Sequence, residues 1–388
     1  MSKSHFFSSS FSRRQFLKYA LHSSVAMALP TSLCRAENNY FANSSVPLDI
    51  KIGQMFVVGF RGLIATAKEK IVKDIQQYHL GGVIFFDYDT ELRRNKRNIE
   101  SFTQLKNLIA DLQSFSQIPL LTCIDYEGGR VDRLKPRYAF PPTYSAQSLG
   151  NKPIEFTFNA ASEMAKLLSE LGIKLNFAPV VDLNLYPNNP IIGKLERSFS
   201  PDPEQVIHHA LAFINAHHQY GIKCTLKHFP GHGSSTEDSH LQLVDITETW
   251  SEQELNPFSS IINAGKADAI MTAHLIHRKL DPDYPATLSP AIINGLLRQK
   301  LHYNGVIFSD DIQMGAIRKQ YTLETALKKA IHAGVDIIIM GNNIGKFDPD
   351  VASKGIEIIK KAVAEGEISP QRIEQSFQRI QRLKGWVI

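Results

Sequence analysis

The sequence predicts an α/β fold: a single (β/α)8 TIM-type barrel with C-terminal helices. Three observations carry the prediction. Eight short apolar runs recur from Met55 onward. Stretches of helical length and amphipathic pattern separate them. Charged and polar residues collect just after the runs, at one end of the repeating unit.

The runs are MFVVGF (55–60), GGVIFF (81–86), LLTCID (120–125), LNFAPVVD (175–182), CTLKHF (224–229), AIMTAH (269–274), GVIFSDD (305–311) and DIIIMG (336–341). Most are rich in β-branched or aromatic residues and lack polar alternation, as parallel strands covered on both faces require. Between them lie LIATAKEKIVKDIQQYH, IESFTQLKNLIADLQSF, FTFNAASEMAKLLSELG and PEQVIHHALAFINAHHQYG, then EQELNPFSSIINAG, SPAIINGLLRQ and LETALKKAIHAG. Several of these close on glycine, which supplies a left-handed cap. Ser289-Pro290 opens the sixth as a cap followed by proline in the first turn. Residues 354–387 read as two helices closing the barrel. A doubly wound sheet is the alternative, but no nucleotide-binding glycine pattern follows the first run.

The first 36 residues differ in kind. They hold Lys3, Arg13, Arg14, Lys18 and Arg35 and no acid, and Arg13-Arg14 precedes a short apolar stretch. This pattern resembles a twin-arginine export signal. The expected organisation is a signal segment at 1–36, a linker at 37–49 and a catalytic domain at 50–388. Export places the mature chain in the periplasm or outside the cell; an unused signal leaves it in the cytoplasm. The apolar stretch is too short and interrupted for a membrane span, and no stable span is expected in the mature chain. The chain has 43 basic and 38 acidic residues, so losing the five basic residues of the segment leaves 38 of each. A neutral mature chain gives no global support for nucleic-acid binding. Cys34 is expected to leave with the signal, the alternative being a lipoprotein, for which Leu33 just before it is a poor fit to a lipid-attachment box; Cys123 and Cys224 sit in apolar runs as expected buried thiols.

The segment KHFPGHGSSTEDSH, Lys227 to His240, concentrates titratable chemistry. His228, His232, Asp238 and His240 are possible zinc ligands by type. Their spacing is not a helical H-E-x-x-H, and Gly231 and Gly233 argue against a ligand helix, so metal is disfavoured. The alternative is proton transfer: Asp238 stands two residues from His240, and a carboxylate can orient an imidazole that donates and recovers a proton. Asp310 follows GVIFS in the seventh run and belongs at the barrel rim, where a carboxylate can attack an anomeric carbon. Asp311 competes for that role, but side-chain alternation orients the two differently.

The motifs IDYEGGRVDR, FAPVVDLN, NPIIGKLERSF, KHFPGHGSSTEDSH and GVIFSDDIQMGAI, in this order over about residues 50–345, resemble family 3 glycoside hydrolases of the β-N-acetylhexosaminidase branch. The resemblance implies His240 as general acid/base, Asp238 as its orienting partner and Asp310 as nucleophile. It implies sugar binding by Asp125, Arg133, Arg197, Lys227 and His228. It implies retaining hydrolysis of terminal, non-reducing β-linked N-acetylglucosamine through a covalent glycosyl-enzyme, with no cofactor and no metal. The expected partners are N-acetylglucosamine-containing oligosaccharides or muropeptides, from peptidoglycan fragments or chitooligosaccharides. Phosphorolysis of the same linkage and a non-catalytic sugar-binding barrel are the alternatives. Two departures stand out: Tyr126 occupies a position where glutamine is common, and GKLERSF is longer than the compact G-x-R-S-F form. Gly231, Gly233 and the neighbouring serines are expected to let the His240 loop close and reopen.

Overall fold

Residues 46–239 and 241–386 are described by the computed structural model of the chain. The expected signal segment, residues 37–45 of the expected linker, and His240 lie outside them. The end of that linker belongs to the barrel domain: Val46 is buried, and helix α1 (Leu48–Gln54) has already begun.

Each of the eight apolar runs contains a strand. These are β1 (Phe56–Gly59), β2 (Gly82–Phe85), β3 (Leu121–Ile124), β4 (Leu175–Asn176), β5 (Lys223–Phe229), β6 (Ala269–Thr272), β7 (Val306–Phe308) and β8 (Ile338–Met340). Sequential strands pair in parallel from β1 round to β7, and β8 pairs with β1. The last seam, between β7 and β8, is joined by a bridge from Phe308 to Ile337, with Ile337 N donating to Ile307 O at 3.0 Å and Ser309 N to Ile337 O at 2.9 Å. The sheet therefore closes on itself, which a doubly wound sheet does not. β4 is shorter than its run because Pro179 has no N–H to give the ladder. Pairing resumes beyond it, where Val181 N donates to Lys227 O at 2.9 Å.

Helices α2 (Lys70–Tyr78), α3 (Phe102–Ser114), α4 (Ile154–Leu171), α5 (Pro203–Gln219), α6 (Asn256–Asn263), α7 (Ala291–Lys300) and α8 (Leu323–Ala333) cover the outside. α4 and α8 end on glycines in the left-handed region, Gly172 and Gly334, as expected. α2 instead ends on His79, a non-glycine residue at φ 51°. Ser289 caps α7, its Oγ accepting from Ile292 N at 3.0 Å. That helix is wound more widely than an α-helix, and Leu301 N reaches back five residues to Leu296 O.

The closing helices are α9 (Val351–Ala364) and α10 (Pro370–Lys384). α10 is fastened under the barrel by Lys51–Glu374 at 2.5 Å and by Lys384 Nζ, which donates to Gln54 Oε1 and Pro119 O. Beside it, the fully buried Asp336, just before β8, gathers three guanidinium groups. Arg298, Arg379 and Arg372 approach it at 2.5, 3.2 and 3.6 Å, while Ser376 Oγ and Ile307 N donate to it. Cys123 on β3 and Cys224 on β5 are buried free thiols. Among the described residues no helix is long and apolar enough to cross a membrane.

Candidate active site

The C-terminal ends of β2 through β8 surround a cavity of about 310 Å³. This is the end at which the sequence gathers its polar residues, and the end where barrel chemistry is built. Asp125, Arg133, Arg197, Lys227, His228 and Asp310 all line it. Asp238 is half-buried in the loop after β5 and stands outside the cavity wall.

The floor is a fixed network of charges. Lys227, near the end of β5, points its Nζ between Asp125 Oδ1 at 3.0 Å and Glu127 Oε1 at 2.7 Å. Arg197 forks onto Glu127 with two bonds of 2.8 Å, and its Nη1 donates to Ile191 O. Such bidentate charge-assisted pairs fix orientation as well as distance. Arg133 reaches Asp125 Oδ2 at 3.3 Å. Burial alone pushes the Asp125 carboxyl up, but Lys227 and then Arg133 outweigh it and hold it well below the usual carboxylate range. Burial opposes ionisation of Glu127 too, and Arg197 and Lys227 together overcome it. The longer GKLERSF segment does not remove Arg197 from the site.

His228 is held from both sides. Asp182, at the end of the fourth apolar run, lies 2.7 Å from its Nδ1, and Arg197 Nη2 lies 3.2 Å from its Nε2. A guanidinium can only donate, so Nε2 accepts and Nδ1–H donates to Asp182. Burial would raise the Asp182 carboxyl, but the attraction of His228 and its hydrogen bonds bring it below its ordinary value.

Both rim carboxylates, Asp310 and Asp311, line the cavity, but they are held differently. Asp311 Oδ1 accepts from Gln313 N at 3.0 Å and Gly341 N at 3.1 Å, bracing the turn against β8. Asp310 Oδ1 accepts from Asp311 N at 2.8 Å, which sets the plane of its carboxyl at the cavity wall. Behind them His274 Nε2–H donates to Asp311 O at 2.9 Å.

The loop after β5 is anchored where glycine content suggested a hinge. Gly231 and Gly233 are buried, and a Cβ on Gly233 would stand 1.6 Å from Leu183 O, while one on Gly231 would meet Glu254. These glycines permit close packing at the root of the loop. Glu254 accepts from Gly233 N at 2.9 Å and Ser234 Oγ at 2.6 Å. Burial, with the nearby Asp182 charge, pushes the Glu254 carboxyl up to about 7. Asn189 Nδ2 donates to His232 O at 2.8 Å, and His232 N donates to Asp182 Oδ1 at 2.8 Å. The His232 ring nitrogens lie 2.5 Å from Ser235 Oγ and 3.0 Å from Ser239 Oγ. The nitrogens of His228 and His232, weighed above as metal ligands, are thus all engaged by protein groups.

Four functional positions escape a reading of the sequence: Glu127, Asp182, His232 as a structural bridge, and Glu254. The first two carry a usable signal, because Asp182 closes one barrel run and Glu127 stands just beyond another, both at the reactive end. Glu254 carries none; it lies in the turn before α6, far from any strand end.

A closed parallel barrel that opens a charged, carboxylate-edged cavity at the strand C-termini is a frame on which glycoside hydrolases, among other enzymes, are built. The comparisons agree. The chain belongs to glycosyl hydrolase family 3, whose N-terminal domain model matches residues 47–383, and within it to the β-N-acetylhexosaminidase branch. A beta-hexosaminidase of Tolumonas auensis is 40% identical over 268 residues, 68% of this chain and 76% of that protein. Beta-hexosaminidase A of Pseudoalteromonas piscicida is 33% identical over 349 residues, 84% of this chain and 56% of that protein. A family 3 β-N-acetylglucosaminidase structure from Paenibacillus sp. superposes with a TM-score of 0.80 at 34% identity, over 88% of this chain and 63% of that one. The β-N-acetylhexosaminidase of Beutenbergia cavernae gives 0.79 at 26% identity, over 88% of this chain and all of that one.

Proposed function

We propose that the chain removes terminal, non-reducing β-linked N-acetylglucosamine from peptidoglycan fragments or chitooligosaccharides, with retention of configuration. The observation that carries this is the placement of Asp310 on the same cavity wall as Asp125, Arg133, Arg197, Lys227 and His228. The charged floor binds the sugar hydroxyls, and Lys227 and the arginines supply donors fixed by Asp125 and Glu127. Asp310 attacks C1. His240, assigned by its place in the D-S-H motif and oriented by Asp238, protonates the leaving oxygen. His240 then takes a proton from water, which displaces Asp310 from C1 and restores the β configuration. The N-terminal segment exports the enzyme to the periplasm or beyond.

The test is turnover of matched muropeptide, chitobiose and aryl substrates, with the anomer of the first product read by NMR. Asp310→Ala should lose nearly all turnover while keeping its melting temperature. Release of the α anomer, or wild-type-like turnover of D310A, refutes the mechanism. A sugar phosphate formed when phosphate is supplied makes the enzyme a phosphorylase.

A further inference from the structure

The imidazole of His232 spans the loop after β5 from its root to its far side. One ring nitrogen meets Ser235 Oγ at 2.5 Å, and the other meets Ser239 Oγ at 3.0 Å. The root beneath it is fixed. Asp182 Oδ1 accepts from His232 N, Asn189 Nδ2 donates to His232 O and to Ser235 Oγ at 3.1 Å, and Glu254 holds Gly233 and Ser234. Ser239 is buried at the far end, and both His232 and Ser239 reach the cavity wall. Between the two serines the chain passes through exposed Thr236 and Glu237 and half-buried Asp238, and Glu237 Oε2 accepts from Gln242 Nε2 at 2.7 Å. A ring bonded at both ends is therefore a strut across the arc.

We infer that His232 is a positioning residue for acid/base catalysis. It ties Ser239, the residue directly before His240 in the chain, to the rigid root of the loop. The inference rests on the reading of His240 given above. Burial and the neighbouring His228 lower the His232 ring to about 4, so it remains neutral through the working range. A neutral ring has one N–H and one lone pair, and a serine hydroxyl can complement either. The strut needs no proton to be gained or lost during turnover. His232 does not touch the reacting atoms in this role; it fixes Ser239, from which the chain runs on to the proposed acid/base. A misplacement of about 1 Å in such a group costs roughly 100-fold in rate.

The geometry separates two substitutions. The amide of Asn reproduces the position of the imidazole Nδ1, and that of Gln reproduces Nε2. His232→Asn keeps the contact with Ser235 and loses Ser239; His232→Gln keeps a group that reaches Ser239. Ser239→Ala removes the far end of the strut alone. The experiment measures kcat and KM of these variants, and of His240→Ala, on chitobiose and on an activated dinitrophenyl N-acetylglucosaminide. H232N and S239A should lose about 10- to 100-fold in kcat/KM on chitobiose. They should lose less than about threefold in kcat/KM on the activated glycoside, because kcat/KM reports the first step, whose leaving group there needs no proton. H232Q should recover most of the chitobiose rate. The H232N/S239A double variant should be no worse than either single one, because both break the same contact.

Equal losses on the two substrates, or rates within about twofold of wild type for S239A on chitobiose, overturn the strut. If H240A meanwhile shows the leaving-group dependence, the proposed reaction stands and only the strut falls. If H240A loses equally on both substrates, the acid/base assignment falls and the inference with it. Should H232N fail to fold, S239A decides.

Discussion

Glu127→Gln probes the floor of the cavity without changing its shape. In the native chain one carboxylate receives three short contacts: two from Arg197 at 2.8 Å and one from Lys227 at 2.7 Å. All three side chains are almost fully buried. The amide can accept on one atom only and turns its own donor toward a cation, so two buried positive charges lose their main partner. Breaking a buried pair from one side costs about 3–5 kcal/mol, because the remaining charge stays desolvated. For a domain this large about 2 °C accompanies each kcal/mol, which gives a fall of roughly 6–10 °C in Tm. Lys227 then swings toward Asp125, and kcat/KM should drop by more than about tenfold. The pH dependence has a sign. The folded pKa of Glu127 lies below its ordinary value, so its contribution is present above the unfolded value, roughly 4.3, and is lost as pH falls through the folded one. E127Q should therefore show a shallower acid limb than wild type. Thermal melts across acid pH and steady-state kinetics check this. An E127Q protein with wild-type Tm, acid limb and kcat/KM would falsify the account of the floor.

Asp336→Asn removes the charge that gathers Arg298, Arg372 and Arg379. It should cost about 3–5 kcal/mol in urea titration, while kcat/KM of the folded protein stays within about twofold because the cluster lies at the other end of the barrel. Gly233→Ala drives a methyl into Leu183 O. It should destabilise by about 1–3 kcal/mol and lower kcat by displacing the loop root, readable by melting and kinetics together. Glu254 has a raised carboxyl, about 7, so its linked stability is full below its unfolded value and drains as pH rises through about 7. Glu254→Gln should flatten that decline in the urea midpoint, and an unchanged slope would count against the anchor.

Much of this architecture was legible because a buried parallel strand leaves a plain trace. Runs such as GGVIFF and DIIIMG have no polar alternation to disguise, and each holds a strand where expected. The residues lining the cavity were legible for the same reason: Asp125 and Asp310 stand at the ends of runs, and the fold brings run ends together. What could not be read was pairing. Arg197 and Glu127 stand 70 positions apart, and nothing local in either stretch announces the other. Glu254 reaches the loop from a turn before a different helix, so its role exists only in the folded chain. The packing of the glycines was equally hidden: Gly231 and Gly233 stand close to Glu254 and Leu183, neighbours that only the folded chain brings there. The shortness of β4 was readable in principle from Pro179, which cannot sit inside a ladder.

The arginine knot at Asp336 fastens β8 to α7 and α10 on the underside, well away from the sugar. A structure clamped from below asks little of the hairpins and connections above it. Tyr88–Asn95 and the stretch after β8 could then be lengthened, swapped or grafted from relatives to admit a different aglycone, with the clamp still holding the hoop shut. Natural drift in what these proteins consume would follow the same route, altering the crown and sparing the base.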